Sequence, residues 1–254
     1  MRNIEKYTNA LSKAIDKELM RELSFGCVNY WSKGSHNDMD FELFLISKNS
    51  IINSLESINW GLINNFSDLR RAGFEVETQM FSATNSINTH KGLIFLHMFL
   101  AKAYMDRVTW YELNDYIRIL SRPLLMDYED RPKAILRDVN GLKDVRNYPL
   151  TGFEDLTKLV DKIHGKDISD EYLTLYLISK VDDTTTFNRS DLQILRILQA
   201  KADDILKIDD EDLYKKEIHK LNNFYKEHYI STGGVADLFT TIRTLEYLRE
   251  EFDE

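Results

Sequence analysis

The fold is decided by Leu93-Ile94-Phe95-Leu96-His97-Met98-Phe99-Leu100-Ala101-Lys102-Ala103, a run that is apolar on nearly every side when it is wound as a helix. A surface helix carries one apolar stripe, whereas a helix that is apolar all round lies in a protein core or in a membrane. This run is too short for a membrane, because a bilayer needs about 20 apolar residues in succession. The sequence therefore predicts a largely buried central helix over 93–104.

Apolar residues recur at spacings of three and four along most of the chain, as in helices with one buried face. The first such stripe starts at Ile4 and is expected to end near Gly26. The alternation typical of strands is almost absent, and no low-complexity linker divides the chain. We predict an all-α protein, a single compact multi-helix domain over 1–254, with further helices at 41–58, 76–83, 110–126, 154–163, 169–181, 190–206, 213–229 and 235–252.

Composition limits the classes of function that are open to this chain. Its 254 residues are 43% hydrophobic and 30% charged, as in an ordinary globular protein. The net charge of -9 argues against nonspecific binding of nucleic acid or of an anionic membrane, so an anionic ligand would need a local basic pocket. Cys27 is the single cysteine, which excludes an intramolecular disulfide. With no signal peptide in the N-terminal sequence, we expect a cytoplasmic protein.

A polar string stands directly before the apolar run: Asn88-Thr89-His90-Lys91-Gly92. It joins a cap-forming pair, two side chains able to carry positive charge, and a glycine at the start of a predicted helix. Exposed amide N–H groups and cations at a helix start form a phosphate-binding arrangement. The alternative is that Asn88 or Thr89 merely caps the helix, with His90 and Lys91 solvated in its first turn.

Two further clusters offer oxygen ligands. The segment Gly34-Ser35-His36-Asn37-Asp38-Met39-Asp40 places Asp38 and Asp40 at a predicted helix start, where carboxylates can hold a magnesium ion that bridges to phosphate. The segment Asp182-Asp183-Thr184-Thr185-Thr186-Phe187-Asn188-Arg189 joins such ligands to a guanidinium suited to phosphate. Favourable charges at a helix start explain the first equally well, and an ordinary polar loop between helices explains the second.

The fourth cluster is Ser231-Thr232-Gly233-Gly234-Val235-Ala236-Asp237. Gly233 and Gly234 at a helix start let the backbone approach a ligand closely and leave its N–H groups free. A plain turn explains the glycines too, but it does not explain Asp237 between apolar neighbours, which requires a partner for the carboxylate.

Taken together and in this order, the four clusters resemble the triphosphoribosyl-dephospho-CoA synthase family (CitG/MdcB type). The resemblance spans about residues 23–248. It is carried by Gly34-Ser35-His36 with Asp38-Met39-Asp40, by 73–92 ending in Asn88-Thr89-His90-Lys91-Gly92, by Asp183-Thr184 with Arg189, and by Ser231 with Gly233-Gly234 and Ala236-Asp237-Leu238.

The resemblance implies an all-helical transferase that joins ATP to 3'-dephospho-CoA, or to another hydroxyl-bearing small molecule, and releases adenine. It implies Mg²⁺ as cofactor, and a homodimer is a possible assembly. Carried over by position, the nucleotide and triphosphate contacts are Asn88, His90, Lys91, Arg189, Gly233, Gly234 and Asp237. The candidate magnesium ligands are Asp40, Asp182 and Asp183, and the candidates for the base or the oxocarbenium stabiliser are Asp38 and His36.

The chain departs from the family pattern at two informative places. It has Ser24-Phe25-Gly26-Cys27-Val28-Asn29 where the family reads Lys-Pro-Gly-Leu-Val-Asp, and Gly141-Leu142-Lys143-Asp144 in place of a Gly-Ala-Arg segment. We therefore expect a divergent member with a changed acceptor side. Two alternatives stay open: a Mg-dependent N-glycoside hydrolase, suggested by Asp182-Asp183-Thr184, which resembles the metal motif of ADP-ribosyl hydrolases, and a non-catalytic nucleotide-binding paralogue.

Overall fold

The computed structural model describes residues 3–127 and 141–253, and the regular structure within them is helical. The only β pairing among these residues is an isolated bridge between Asn29 and Ser32. The all-α prediction is confirmed. The helices are α1 (Ile4–Leu19), α2 (Phe41–Ser57), α3 (Phe66–Ala83), α4 (Lys91–Met105), α5 (Leu113–Ser121), α6 (Asn147–Leu150), α7 (Glu154–Ile163), α8 (Asp170–Lys180), α9 (Thr184–Arg189), α10 (Leu192–Ile205), α11 (Glu211–Glu227) and α12 (Gly233–Leu248), with 3₁₀ turns at Trp60–Leu62 and Arg122–Asp127.

Helix α4 is the central helix that its sequence predicts. Every residue from Leu93 to Tyr104 except Phe95 is buried, and α4 packs against α1, α3, α5, α6 and α12. His97 is buried in the middle of the run, where its Nδ1 lies 2.7 Å from the hydroxyl of Tyr7. It is therefore a core histidine with a partner, because a buried polar ring needs a hydrogen bond.

One hydrophobic cluster runs from Tyr7 near the start of the chain to Phe252 near its end. Helix α1 packs along α12, so the two ends of the chain share that core. This continuity supports our proposal of a single domain over 1–254. None of the helices in the described part of the chain has both the length and the hydropathy that crossing a bilayer requires.

Several element boundaries differ from the predictions; the last helix, for example, ends at Leu248 and not at 252. Helix α1 ends at Leu19 and not near Gly26, because the chain turns there while Leu23 still reaches the core. Helix α3 starts at Phe66 and not at 76, since Asn65 caps it with a bond to the N–H of Asp68. The segment 182–189, expected to be a loop, contains the short helix α9.

The predicted helix over 110–126 is shorter than expected. Its α-helical part is α5, and the chain continues as a 3₁₀ turn that contains Pro123. Proline lacks the N–H that an α-helix interior needs, which accounts for the early end.

Candidate active site

Two adjoining cavities open where the N-termini of α4, α9 and α12 meet. The larger cavity has a volume of about 610 Å³, and the smaller cavity has a volume of about 250 Å³. Both are lined by the same small group of residues, which we call the neck: Asn88, Lys91, Gly92, Thr185 and Asp237. All five lie in the polar clusters that the sequence singles out: three in 88–92, Thr185 in 182–189 and Asp237 in 231–237.

The start of α4 is held by one side-chain hydrogen bond. The Oδ1 of Asn88 accepts from the N–H of Lys91, the first residue of α4, at 3.2 Å, while His90 stands at the N-cap position without a side-chain capping bond. Lys91 is exposed, and its Nζ lies 2.5 Å from Oε1 of Glu77 on α3. The ammonium is thus held at the neck by a carboxylate that the sequence analysis missed.

Asp237 projects from the second turn of α12 against the first turn of α4. A Cβ atom at Gly92 would lie 2.1 Å from its Oδ2, so only glycine leaves room for the carboxylate. The backbone N–H of Leu93 donates to it. This is the partner that a carboxylate between apolar neighbours requires.

The acidity of Asp237 is weakened by its surroundings. Burial raises its pKa well above the ordinary value, and the nearby charges of Asp183 and Glu18 raise it further, against a smaller lowering by the Leu93 N–H. A carboxyl group of this kind keeps its proton to a higher pH than an ordinary aspartate does.

Asp183 joins two helix N-termini. Its Oδ1 accepts from the N–H of Thr186 at 2.7 Å and caps α9, while its Oδ2 accepts from the N–H of Val235 at 2.8 Å in the first turn of α12. Gly234 permits this approach, since a Cβ there would lie 3.1 Å from Oδ2. Burial raises the pKa of Asp183 against the lowering effect of these donors.

The N-terminus of α12 keeps free donors. Thr232 stands at its N-cap position without a side-chain capping bond. Within residues 3–127 and 141–253, no group accepts a hydrogen bond from the N–H of Gly233 or Gly234. Gly233 lines the smaller cavity and Gly234 the larger one, so these amides are available to an anion in either cavity.

His36, one of the two candidates for the base or the oxocarbenium stabiliser, lines the smaller cavity with both ring nitrogens in hydrogen bonds. Nη2 of Arg189 donates to Nδ1 at 3.0 Å, so Nδ1 carries no proton and the neutral ring is protonated at Nε2. That Nε2–H donates to the hydroxyl of Ser231 at 3.1 Å. Burial, followed by the charge of Arg189, lowers the pKa of His36 to about 4. Both ring nitrogens are therefore occupied by hydrogen bonds within the protein.

The guanidinium of Arg189 is also engaged in hydrogen bonds. Beyond His36, its Nη1 donates to the carbonyl oxygens of Ser35 at 2.8 Å and Tyr229 at 3.2 Å. It lines the smaller cavity, as predicted for a triphosphate contact, but three of its bonds fasten the loop 34–40 to α9 and to the turn before α12.

His90 is not the cation that the sequence analysis expects. It is buried, its Nδ1 lies 2.7 Å from the hydroxyl of Ser47, and Phe44 packs edge-on against the ring. Burial lowers its pKa to about 3, so the ring is neutral at physiological pH. It lines the smaller cavity as a neutral hydrogen-bonding group.

The remaining predicted carboxylates are not brought together. Asp38 is exposed and lines neither cavity. Asp40 caps α2 by accepting from Leu43 at 3.1 Å, and it lies 3.6 Å from Lys33, also outside both cavities. Asp182 lines the larger cavity but is paired with Arg196 at 2.5 Å.

These placements do not fit a metal site held by the protein. Within the described ranges, no group of three or more His, Cys, Asp or Glu side chains is arranged to hold a metal ion. The oxygens of Asp183 are occupied by backbone donors, and Asp40 lies outside the cavities. The three predicted ligands Asp40, Asp182 and Asp183 therefore do not form one centre.

Other lining residues escaped the sequence analysis. Glu18 of α1 lines the smaller cavity and is buried against Arg21, 2.5 Å away. In α3, Phe66, Arg70, Phe74 and Glu77 line the larger cavity. Their spacing of four, four and three places them on one face of a helix, which is the signal that could have revealed them.

The comparisons with known proteins identify the family of the chain. The family model described as ATP:dephospho-CoA triphosphoribosyl transferase matches residues 4–124 and 129–253. A protein of Streptococcus mutans is 27% identical over 95% of this chain and 97% of its own length. Relatives from Vibrio cholerae and Malonomonas rubra are 26% and 25% identical over 84% and 89% of this chain and 78% and 82% of their own lengths. All three are named probable 2-(5''-triphosphoribosyl)-3'-dephosphocoenzyme-A synthases.

No solved structure gives a significant match to the chain. The family expected from the four clusters is confirmed by the family model and by these names, and so is the prediction of a transferase. Neither a hydrolase nor a non-catalytic paralogue is favoured. The match spans nearly the whole chain at about a quarter identity, which agrees with the divergence expected from the altered signatures. The chain belongs to the ATP:dephospho-CoA triphosphoribosyl transferase family.

Proposed function

We propose that this protein transfers the triphosphoribosyl group of ATP to a ribose hydroxyl of 3'-dephospho-CoA and releases adenine. The observation that carries the proposal is the neck, where the carboxylate of Asp237 and the ammonium of Lys91 line both cavities. A transfer between two nucleotides needs two adjoining binding spaces and one point at which the ligands meet. The neck supplies that point.

In the reaction, the bond between the anomeric carbon and the adenine nitrogen breaks, and a bond from that carbon to the acceptor oxygen forms. The acceptor hydroxyl loses a proton and the departing adenine gains one, so the exchange releases no net proton. We assign the proton acceptor to Asp237, because a raised pKa makes its carboxylate a stronger base than that of an ordinary aspartate and it lines both cavities. Its carboxylate also faces the space where the ribosyl carbon becomes positively charged.

We assign the triphosphate to Lys91 and to the amides of Gly233 and Gly234. These groups lie at the neck and at the N-terminus of α12, where the helix dipole favours anions. His90 contributes a neutral contact in this proposal, because its pKa is too low for a cation. Arg189 and His36 hold the wall of the smaller cavity through their mutual bond.

Magnesium enters the proposal only as the counter-ion that ATP brings with it. A magnesium ion bound through phosphates needs one or two protein carboxylates at most. The predicted ligands do not fit a site of their own, so no step is assigned to a metal. The homodimer stays a prediction.

The test is a reaction of the purified protein with ATP, Mg²⁺ and 3'-dephospho-CoA, followed by chromatography of adenine and mass spectrometry of the acceptor. We expect adenine and triphosphoribosyl-dephospho-CoA in equal amounts. Adenine with free ribose triphosphate, independent of the acceptor, would identify a hydrolase instead. Binding of ATP by calorimetry without adenine release would identify a non-catalytic binder.

A further inference from the structure

The two cavities differ in the chemistry of their walls. The larger cavity has an apolar wall from α3, α4 and the 3₁₀ turn after α5, which includes Phe66, Phe74, Phe95, Met98, Phe99 and Leu124. The smaller cavity has a single phenylalanine ring, that of Phe44, among lining groups such as Glu18, His36, Thr89, Ser231 and Thr240. The larger space therefore suits a larger ligand with an extended uncharged portion.

Phe74 is a residue of the apolar wall with an unusually exposed side chain. Its ring is 67% exposed at the larger cavity, although large aromatic rings gain free energy from burial. One turn before it, Arg70 places its guanidinium 4.6 Å from the ring centre of Phe66. Aromatic surface and positive charge thus alternate along the face of α3 that borders this cavity.

Positive charge also lies on the opposite side of the larger cavity. Lys143 is exposed there and Arg146 is half-buried, just before α6. Carboxylates line this cavity too: those of Glu77 and Asp182 are paired with Lys91 and Arg196, and those of Asp144, Asp183 and Asp237 accept from backbone N–H groups. A ligand that joins a phosphate group to a long uncharged portion would pair with the exposed ammonium of Lys143 and cover the apolar wall.

The two substrates of the proposed reaction differ in this respect. Both contain adenosine and phosphates. Dephospho-CoA continues beyond its diphosphate into a long, uncharged pantetheine arm, whereas ATP ends in its charged triphosphate. We infer that the larger cavity is the acceptor subsite, in which the apolar wall of α3 and α4 binds the pantetheine arm, and that the smaller cavity receives the ribosyl part of ATP. This inference rests on the proposed function and assigns its two substrates to the two sides of the neck.

Phe74→Ala is the variant that tests it, because the side chain is exposed and its loss leaves the core intact. We expect the KM for dephospho-CoA to rise about tenfold, the factor given by losing roughly 55 Å² of apolar burial on binding. The KM for ATP and the kcat should stay within twofold. ADP, which has an adenosine and a diphosphate but no arm, should be used equally well as an acceptor by both proteins.

Tyr111→Ala is the matched control, since this ring is 84% exposed and lines neither cavity. It should change none of the constants. Phe95→Leu, which keeps an apolar side chain at a half-buried position of the same wall, should raise the KM for dephospho-CoA by a smaller factor.

The inference is overturned if Phe74→Ala raises the KM for ATP and not that for dephospho-CoA, or if it weakens dephospho-CoA and ADP equally. Titration calorimetry of dephospho-CoA into the native protein and Phe74→Ala gives the same answer without turnover. Absence of adenine release from the native protein would instead refute the proposed function, while a tenfold difference in dephospho-CoA affinity would still support the subsite.

Discussion

Asp183, which is buried, and Asp237, which is half-buried, are carboxylates beside helix N-termini of the same site, yet their surroundings differ in number of donors and in exposure. Asp183 is 3% exposed and accepts from the backbone N–H groups of Thr185, Thr186 and Val235. Asp237 has the single backbone donor of Leu93 and lines both cavities. The oxygens of Asp183 are occupied by backbone donors, whereas those of Asp237 can still accept a hydrogen bond from a ligand.

The comparison shows what distinguishes a carboxyl group that stabilises the fold from one that can take part in the reaction. Burial raises the pKa of both side chains, so acidity alone does not separate them. The number of protein donors and the exposure separate them, because Asp183 is buried at the edge of the larger cavity, whereas Asp237 is half-buried and lines both cavities. Substitutions at the two positions should therefore affect different measurements.

The largest effect is expected for Asp237→Asn. Asparagine keeps the shape and can accept from the Leu93 N–H, but it cannot take a proton from the acceptor hydroxyl. We expect kcat to fall by about 10²–10⁴-fold, the usual contribution of a positioned general base. Initial rates of adenine release at saturating substrates measure it.

Circular dichroism and ATP binding of Asp237→Asn should match those of the native protein. Asp38→Asn provides the comparison, because this exposed side chain lines neither cavity and its loss should leave kcat unchanged. If Asp38→Asn is inactive and Asp237→Asn is active, the sequence-based assignment is right and ours is wrong.

The next effect concerns stability. Asp183→Ala removes the cap of α9 and the bond to α12 together, so we expect a loss of about 2–4 kcal/mol in the free energy of unfolding. Urea unfolding measures it. Asp210→Ala is the matched control, because Asp210 caps α11 through one bond of 2.7 Å to Leu213 and should cost about 1 kcal/mol. Equal losses at both positions would contradict the dual role.

The fold was largely predictable because its signals are local. The buried helix α4 follows from an uninterrupted apolar run, and most other helices follow from stripes with a spacing of three and four. The first half of α3 was missed because Arg70, Arg71 and Gly73 interrupt its stripe. Its start depends on a single cap, Asn65, which looks like any loop residue in the sequence.

The site was predictable in its location but not in its roles. The residues that line the neck lie mostly in the predicted clusters, since helix starts can be recognised from cap residues and glycines. The role of a side chain depends on its hydrogen-bond partners, which lie far away in the sequence. Arg189 fixes the ring of His36 from 153 positions away, and Asp183 reaches Val235 across 52. No local pattern carries that information.

A third prediction concerns the fit between α4 and Asp237. Gly92→Ala places a Cβ atom 2.1 Å from the present position of Oδ2, so the carboxylate must move. We expect a 10–100-fold loss of kcat, because small misplacements of a catalytic group are costly. Alanine favours helices by about 1 kcal/mol over glycine, which offsets part of any loss of stability.

Gly61→Ala serves as the control for this substitution. A Cβ there would meet Asn59 Oδ1 at an ordinary 3.5 Å, so the kinetic constants should stay as in the native protein. An active Gly92→Ala protein would mean that the position of Asp237 is not critical, which would weaken the assignment of the base.

The smallest expected effect is a change in the pH dependence of stability. The pKa of Asp237 is raised in the folded protein, so above the unfolded value of about 3.9 the unfolded chain loses this proton first. The native protein therefore loses stability as pH rises toward the folded pKa, and Asp237→Asn does not. The stability difference in favour of the variant should grow with pH, with a slope of at most about 1.4 kcal/mol per unit, the limit for one proton. Urea unfolding of both proteins from pH 4.5 to 8 measures this difference, and parallel curves would show that the carboxyl is not held in its protonated form by the fold.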